Sequence, residues 1–484
     1  MMHRAAFSAF LLLSPWLLAA QEVTARLDLG RREPIPYYVE HAPGDNGVVT
    51  FGPASKASTR FLAVRKYDAN LKLEWSKDVI EQSTRKNVDF LAVIGQRILI
   101  FISEPMPKDD IIRNYYYSYD LQGNLVEDEA TLALLPNERE QKVSLQYEFS
   151  PNQRRLLCFK SLRKGTGAET VLYYQFDETG EFVENGEIVL DYPDNRFSIL
   201  DLAVTNQGNL AVLGRFNQST SVLGGEAYQY LAYWYDTRQQ RGQEYRIDLG
   251  GKFISDLAMR VDRNENIYLA GFYSNRSTDN LAGTLLQVMR PDGSLLINAT
   301  YPFDADFLRN YMTANQVDRG RELRDFQLRD IVMRSDGGVV MVAEWAYTVT
   351  RSYRDIYGMW VDRTLYYYRD LVTTSVAPNG AIEWNAIVPK EQVTERPTKT
   401  FSFGVGQESL FLVFQDRPRG MRENIYFHPI SLQGQQLPPQ PVVKDFRPGS
   451  AFSALNSTQI TNNQMMVMLY QPRNKGFTVL KVNL

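Results

Sequence analysis

The pattern that recurs most often along the chain is a polar turn followed by five to seven apolar residues. It appears as "PGDNGVVTFG", turning near Gly47, as "AVIGQRILIF" near Gly95, as "FSPNQRRLLCF" near Asn152 and as "VTNQGNLAVLG" near Gly208. It returns as "VDRNENIYLAG" near Glu265, "RSDGGVVMVAE" near Gly337, "GVGQESLFLVF" near Gly406 and "ITNNQMMVMLY" near Asn462. The steps between these turns are 48, 57, 56, 57, 72, 69 and 56 residues, a near-constant period that marks a repeat protein. A second series is interleaved with the first: "RKYDANLKLEW", "YSYDLQGNLVE", "YQFDETGEFVE", "YWYDTRQQRGQEY", "QVMRPDGSLLI", "TSVAPNGAIEW" and "HPISLQGQQLP". Each of these joins two strand-like runs through a turn rich in Asp, Asn or Gly, residues that tolerate positive φ or cap the turn with their own side chains. The repeating unit is therefore strand A, turn, strand B, loop, strand C, turn, strand D. Four antiparallel strands per repeat predict a β-propeller blade.

The first series has eight members and the second has seven. The chain stops at "GFTVLKVNL", a C strand with no D strand after it, while "VTARLDLG" (residues 23–30) precedes the first A strand and matches the D-strand end "YRIDLGG" (residues 245–251). The expected fold is all-β: a single β-propeller of eight four-stranded blades, closed by the N-terminal strand so that no sheet edge is left open. Seven blades is the alternative, because the first unit is the least regular.

Composition changes this picture little. With 53 basic and 56 acidic residues the formal charge is −3, so no bulk field calls for nucleic acid or an anionic membrane. The N-terminus, "MMHRAAFSAFLLLSPWLLAAQEV", has a basic start at Arg4, an apolar stretch interrupted by Ser and Pro, and a small-residue end at Ala19-Ala20. It reads as a signal peptide over residues 1–20, leaving residues 21–484 as the propeller domain. No later apolar run is long enough to predict a transmembrane segment. The single cysteine, Cys158 in "RRLLCFK", occupies an apolar strand position and is expected to be a buried structural thiol. A large exported chain with one cysteine fits a bacterial periplasm or cell surface.

"VDRNENIYLAGFYSNRSTD" resembles the repeat of bacterial propellers that carry an Asp-x-x-Gly-Asn-x-Tyr-x-x-Gly pattern, with Glu265 in place of the usual Gly. "VVMVAEWAYTVT…YYYRDLVTTSVAPNGAIEWNAIVPKEQ" resembles uncharacterised secreted propellers common in Bacteroidota. Trp75 and Trp384, each following a C–D turn, are similar to positions in quinoprotein-like propellers, but the full set of repeated tryptophans is missing and no quinone is expected. The resemblance implies a fold and a cell-envelope setting; it implies no activity.

Candidate chemistry is sparse. Asp262, Asn264 and Asn266 alternate like the first ligands of a calcium loop, but the sixth place holds Ile267 rather than Gly and the twelfth holds Tyr273 rather than Glu. Turn capping is the better reading, and no metal is expected. Beyond residue 20 only His41 and His428 remain, too few for a zinc cluster, and His428 in "IYFHPI" reads as a packed strand residue. No phosphate loop or Cys-x-x-Cys pair appears, and neither catalytic residues nor a cofactor are assigned.

The asymmetry of the connections carries more information. A–B and C–D turns, on one face, are short. B–C and D–A connections, on the other, are expected to be long over residues 103–113, 161–169, 217–227, 274–282, 304–326, 346–365 and 415–423. Two insertions dominate that face: residues 304–326, with helical spacing of Phe307, Leu308, Tyr311 and Met312, and residues 346–368, expected to be a hairpin rising from strands B and C of the sixth unit. Variable loops on a rigid scaffold are where binding concentrates, and aromatic residues and arginine dominate interface hot spots. The candidate binding residues are therefore Tyr353, Arg354, Tyr357, Trp360, Arg363 and Tyr367 of the second insertion with Arg321 and Arg324 of the first. The same aromatics would also serve to hold the insert upright. Two function classes stand open: a non-catalytic binding or scaffolding propeller that recognises an envelope protein or glycan, within an outer-membrane-associated complex, or a polysaccharide- or peptide-processing hydrolase or lyase with carboxylates near the central channel.

Overall fold

Short runs of β-branched and aromatic residues separated by Asp, Asn and Gly turns fold into antiparallel meanders in the computed structural model. The structure describes residues 22–29, 34–55, 60–81, 86–136, 144–162, 167–218, 228–354, 356–417, 422–443, 446, 450–471 and 476–484. The segment expected to be a signal peptide, residues 1–20, lies outside the described residues, as do parts of the 161–169, 217–227 and 415–423 connections. Eight antiparallel sheets of four or five strands follow one another along the described residues, within 38–81, 87–136, 146–193, 197–246, 253–302, 326–394, 402–441 and 451–483. In the first seven sheets, strands A to D pair in chain order. In the eighth, Gly476–Asn483 is flanked by Gln464–Gln471 on one side and by Val23–Leu29 on the other, with Leu27 opposite Val479 and Leu29 opposite Phe477.

Apolar clusters lie between each sheet and the next, from the first pair to the seventh and eighth. A further cluster joins Val48 and Tyr67 of the first sheet to Met466 and Val479 of the eighth. Burial of these strand faces supplies the main driving force for stacking the sheets. Cys158 is one of the buried side chains, between the second and third sheets, and burial raises its thiol pKa well above the ordinary value.

The short turns are bonded to themselves and to their neighbours. Asp262 Oδ1 accepts the backbone N–H of Asn264 and of Asn266, both at 2.8 Å, and Asn266 Nδ2 donates to Asp262 Oδ2 at 2.8 Å. The calcium-like spacing is thus an Asp-capped turn. Glu265 sits at φ 67°, a left-handed conformation that disfavours a non-glycine residue. Its carboxylate accepts Thr205 Oγ1 at 2.7 Å and Asn209 Nδ2 at 3.2 Å, tying this turn to that of the preceding sheet. Those bonds give a physical reason for glutamate where the resembled repeat has glycine.

Trp75 and Trp384 perform one job twice. Trp75 Nε1 donates to Leu121 O at 2.9 Å and Trp384 Nε1 to Leu432 O at 3.0 Å, each reaching the C–D turn of the next sheet. The rings lie over Gly123 and Gly434, where an added Cβ would meet ring carbons at 3.1 and 2.5 Å. Tyr245 repeats the device, its hydroxyl donating to Pro291 O at 2.6 Å. These aromatics are staples between sheets.

The expected long connections need correction. Residues 103–113 are mostly strand: Arg97–Met106 and Ile111–Asp120 pair through Met106 and Ile111, leaving a four-residue turn. Polar residues there continue the strands past the sheet core, so polarity alone mimicked a loop. Residues 346–365, by contrast, form a hairpin as expected, continuing strands B and C of the sixth sheet.

Candidate functional site

Strands Val339–Arg354 and Trp360–Val376 belong to the sixth sheet as far as Glu344 and Leu371, then continue beyond it as a ribbon that Gln392–Thr394 joins at its base by pairing with Tyr366–Tyr368. Pairing runs from Ala346 opposite Tyr368 out to Arg354 opposite Trp360. The strands are rich in Val, Thr and Tyr, which suit a pleated surface, and cross-strand pairs support the ribbon. Tyr347 and Tyr367 stack at 5.1 Å and an interplanar angle of 6°, and Thr350 and Thr364 share a 2.9 Å hydrogen bond.

The first insertion folds against the base of this ribbon. It forms two short helices, Ala305–Leu308 and Ala314–Asp318, and the strand Leu323–Arg324, which pairs with Asn280–Leu281. Asp304 caps the first helix by accepting the Phe307 N–H at 2.7 Å. Phe307 and Leu323 are buried in the core between the fifth and sixth sheets. Tyr311 packs edge-on to Phe326 at 5.0 Å and to Trp345 at 5.6 Å. Trp345 in turn meets Tyr347, so one aromatic path runs from Phe303 through Phe307, Tyr311, Trp345 and Tyr347 to Tyr367. The two insertions are joined, and these aromatics hold the ribbon upright.

Two cavities open beside the junction, and Asp325, at φ 65°, lines both. One, of about 570 Å³, takes Arg321 and Arg324 together with Trp345. Arg324 Nε donates to Asn280 Oδ1 at 2.8 Å, which orients the guanidinium. The other, of about 830 Å³, is lined by Tyr347, Tyr366, Tyr367 and Tyr368 with Arg329, Glu344 and Lys399. Glu344 is buried and fully engaged: Arg329 donates through Nε at 2.9 Å and Nη2 at 2.6 Å, Lys390 Nζ lies at 2.7 Å, and Thr400 Oγ1 also donates. Burial lowers the Lys390 pKa and the Glu344 carboxylate opposes that shift.

The eight candidate residues do not form one surface. Arg321 and Arg324 share the smaller cavity, and Tyr367 is a half-buried wall of the larger one. Tyr353, Arg354, Tyr357, Trp360 and Arg363 lie on the outer ribbon. There Arg354 stacks over Trp360 at 5.1 Å and Arg363 pairs with Glu395.

A second group was missed by the sequence reading. Glu148, Asp201, Arg260 and Asp330, from strands A of the third to sixth sheets, interact with one another. Arg260 bridges Asp201, at 3.4 Å, and Asp330. Solvent reaches Glu148, yet the surrounding walls displace enough bulk water to push its pKa up to about 7; Arg260 opposes the rise, and Asp201 and Asp330 add to it. Glu148 and Asp201 line a cavity of about 620 Å³ with Asp89, Glu169, Tyr147 and Phe197. Burial likewise lifts Glu40 to about 7, against a hydrogen bond from Tyr147. The signal was available: "LDLA", "SDLA" and "RDIV" repeat an Asp before an apolar pair in strand A. Asp201, Asp256 and Asp330 each accept the N–H of the next residue, at 2.9, 3.0 and 2.7 Å.

Both histidines among the described residues are held by neighbouring side chains. His428 stacks on Phe414 at 4.3 Å and 4°, and burial pushes its pKa down to about 4; His41 Nε2 meets Asn46 Oδ1 at 2.8 Å. Among the described residues no group of three or more His, Cys, Asp and Glu side chains is arranged to hold a metal, and no helix is long and apolar enough to cross a membrane.

No protein-family model and no curated protein matches the sequence. Among solved structures, Porphyromonas gingivalis dipeptidyl peptidase 4 is similar over 90% of this chain and 58% of its own, at 11% identity and a TM-score of 0.42. The WD40 domain of SCAP from fission yeast is similar over 95% of this chain and 94% of its own, at 7% identity and a TM-score of 0.41. The β-propeller domain of the Trilobed protease from Pyrococcus furiosus is similar over 85% and 99%, at 11% identity and a TM-score of 0.35. Similarity at this level assigns neither an activity nor a partner.

Proposed function

We propose that this chain is an exported, non-catalytic binding or scaffolding protein of a bacterial cell envelope. In this reading the eight sheets are the blades of one propeller, closed where residues 23–29 pair with 476–483, and a protein or glycan is taken on the face bearing residues 304–326 and 346–368. The eight successive shared cores support the blade reading. The binding reading rests on one observation: a stack of interlocked aromatics supports two cavities of ligand size at the foot of a projecting ribbon, with Arg321, Arg324 and Tyr367 in their walls. Rigid support of adaptable polar groups is what a recognition site needs. The test is photo-crosslinking in the exporting cells from a residue placed at position 321 and, as control, at position 238 in a short turn. A partner captured from 321 and not from 238 is the expected result; equal capture from both rejects the face.

A second reading, a polysaccharide- or peptide-processing enzyme, draws on Glu148, whose pKa near 7 suits proton transfer at neutral pH, beside Asp201 in an acidic cavity. Screening the purified protein against envelope glycans and peptides, with Glu148→Gln as the blank, decides it. Turnover that disappears in the variant favours the enzyme.

A further inference from the structure

The smaller cavity has a one-sided hydrogen-bond inventory. Its walls come from three stretches of chain: the connection holding Arg276 and Asn280, the insertion from Tyr311 to Phe326, and Trp345 at the foot of the ribbon. Asp325 apart, every amide and carboxylate oxygen on the side chains of that wall already has a donor from the protein itself. Glu322 Oε2 accepts Ser274 Oγ at 2.6 Å, and Oε1 accepts the Asn275 N–H at 3.0 Å and Asn275 Nδ2 at 3.2 Å. Asn280 Oδ1 takes Arg324 Nε, and Gln316 Oε1 takes the N–H and the hydroxyl of Thr313 at 2.9 and 3.1 Å. The carbonyl of Gly320 takes Arg276 Nη2 at 2.9 Å.

The donors are left over. Arg276, Arg321 and Arg324 make no ion pair among the described residues, and the Arg321 guanidinium makes no hydrogen bond there. A guanidinium carries five N–H donors and no acceptor, so Arg276 and Arg324 keep most of theirs free after one bond each. The Gln316 amide NH2 and the Trp345 Nε1–H also lack an acceptor among the described residues. Single unpaired arginines are ordinary on a surface. Three that converge on one recess, two of them held by neutral oxygens, repel one another without an internal counter-charge in contact. The complement of such a wall is anionic and rich in acceptors, and planar guanidinium forks bind carboxylate, sulfate or phosphate oxygens two at a time.

Shape selects among ligands that carry such groups. About 570 Å³ is the size of a small-molecule site and far more than one acidic side chain of a docking protein would fill. The same wall offers the rings of Tyr311, Phe326 and Trp345 beside the free donors. A sugar ring presents C–H groups on its faces and oxygen acceptors around its rim, so aromatic surface next to unused N–H donors suits it.

We infer that this cavity takes an acidic saccharide, with its oxyanion held by Arg321, Arg324 and Arg276 and its ring against Trp345. The assignment deepens the reading of this face as the binding face and rests on it. Asp325 supplies a test of sign. It is the one carboxylate of the wall without a donor among the described residues, and it opposes a bound anion. Asp325→Asn keeps a residue that tolerates the φ of 65° and removes that repulsion.

The purified exported protein is titrated calorimetrically with short uronate, sulfated and phosphorylated oligosaccharides, each beside its methyl-esterified or unsubstituted counterpart. Inorganic sulfate, inorganic phosphate and an oligoglutamate peptide complete the set. At least one acidic saccharide is expected to bind about tenfold or more tightly than its neutral counterpart. Arg321→Gln and Arg324→Lys should each weaken it about tenfold, the second because lysine keeps the charge and loses the fork, while Arg238→Gln in a short turn should not. Asp325→Asn should tighten it. The inference is overturned if no acidic saccharide binds, if the neutral counterparts bind equally, or if Asp325→Asn weakens binding. Inorganic sulfate or phosphate binding as tightly as the saccharide would reduce the site to a bare anion hole, and tighter binding of oligoglutamate would assign it to an acidic segment of a protein; both also overturn it. Absence of saccharide binding while crosslinking from position 321 stays selective removes this assignment and leaves the binding face standing; absence of both removes the face as well.

Discussion

The two ends of the sheets use the same residue types in opposite ways. At the short-turn end, Trp75 and Trp384 are tied to the next sheet's carbonyls, and Glu265 bonds to Thr205 and Asn209. At the ribbon end, Trp360 and Tyr357 are mostly exposed, and Arg354 stacks over the Trp360 ring. An aromatic or charged residue at the first end completes the fold. At the second end it stands clear of the core, and projections of that kind are where binding concentrates.

The comparison can be broken most severely at the terminal strand. Removing residues 22–29 strips the outer ladder from Gly476–Asn483 and uncovers Phe477 and Val479, and should destabilise the protein by about 4 kcal/mol or more. Calorimetry on the truncated protein checks this, and an unchanged melting temperature would refute a structural role for the strand. Next comes tryptophan against tryptophan. Trp75→Ala should cost about 3 kcal/mol in denaturant unfolding, whereas Trp360→Ala should change stability by less than about 0.5 kcal/mol. Similar losses at both sites would abolish the distinction between the two ends.

Between the ends, the carboxylates on strands A form a third environment, and pH sharpens it. The folded-state pKa of Glu40, about 7, lies above its ordinary value of 4.5. Its neutral form is therefore favoured by folding: that contribution is complete below pH 4.5 and is lost as pH rises through 7. Glu40→Gln should raise stability at pH 8 by about 2 kcal/mol and give no gain at pH 4. His428 works in the opposite direction, since its folded pKa of about 4 lies below 6.5 and stability falls as pH drops through that interval. Melting curves of Glu40→Gln and His428→Phe across pH 4–8 separate the two contributions. The smallest effect on stability belongs to the ribbon: replacing residues 350–364 with Asn-Gly should leave unfolding within about 0.5 kcal/mol of wild type, since the strand partners there lie within the segment and Arg363 pairs with an exposed Glu395. A large loss would make the ribbon part of the fold.

Parts of this arrangement were readable in the chain and parts were not. The capping role of Asp262 could be read because its side chain bonds to Asn264 and Asn266, two and four residues on. The ribbon could be read because 346–368 lengthens one period of the repeat. Misreading 103–113 as a loop followed from judging polarity without pairing: Ser103 opposite Asn114 and Glu104 opposite Arg113 are strand partners. The division of the candidate residues between two cavities and the ribbon depended on Trp345 and Asp325, which no motif singled out. Glu344 was visible as a lone charge in "VVMVAEW", but its partners Arg329, Lys390 and Thr400 are scattered over some seventy residues.

The sequence by itself determined the repeat, the order of strands within a unit and the complementarity of the two chain ends. Strand alternation and turn capping are interactions among residues a few positions apart, so each repeat encodes its own share of them. Tertiary structure decided which long connections became strands, how the two insertions lock through Tyr311 and Trp345, and which charges meet across strands A. Arg260 lies 59 residues from Asp201 and 70 from Asp330. Only the stacking of successive sheets, driven by apolar surface that carries no information about charge partners, brings those three side chains together.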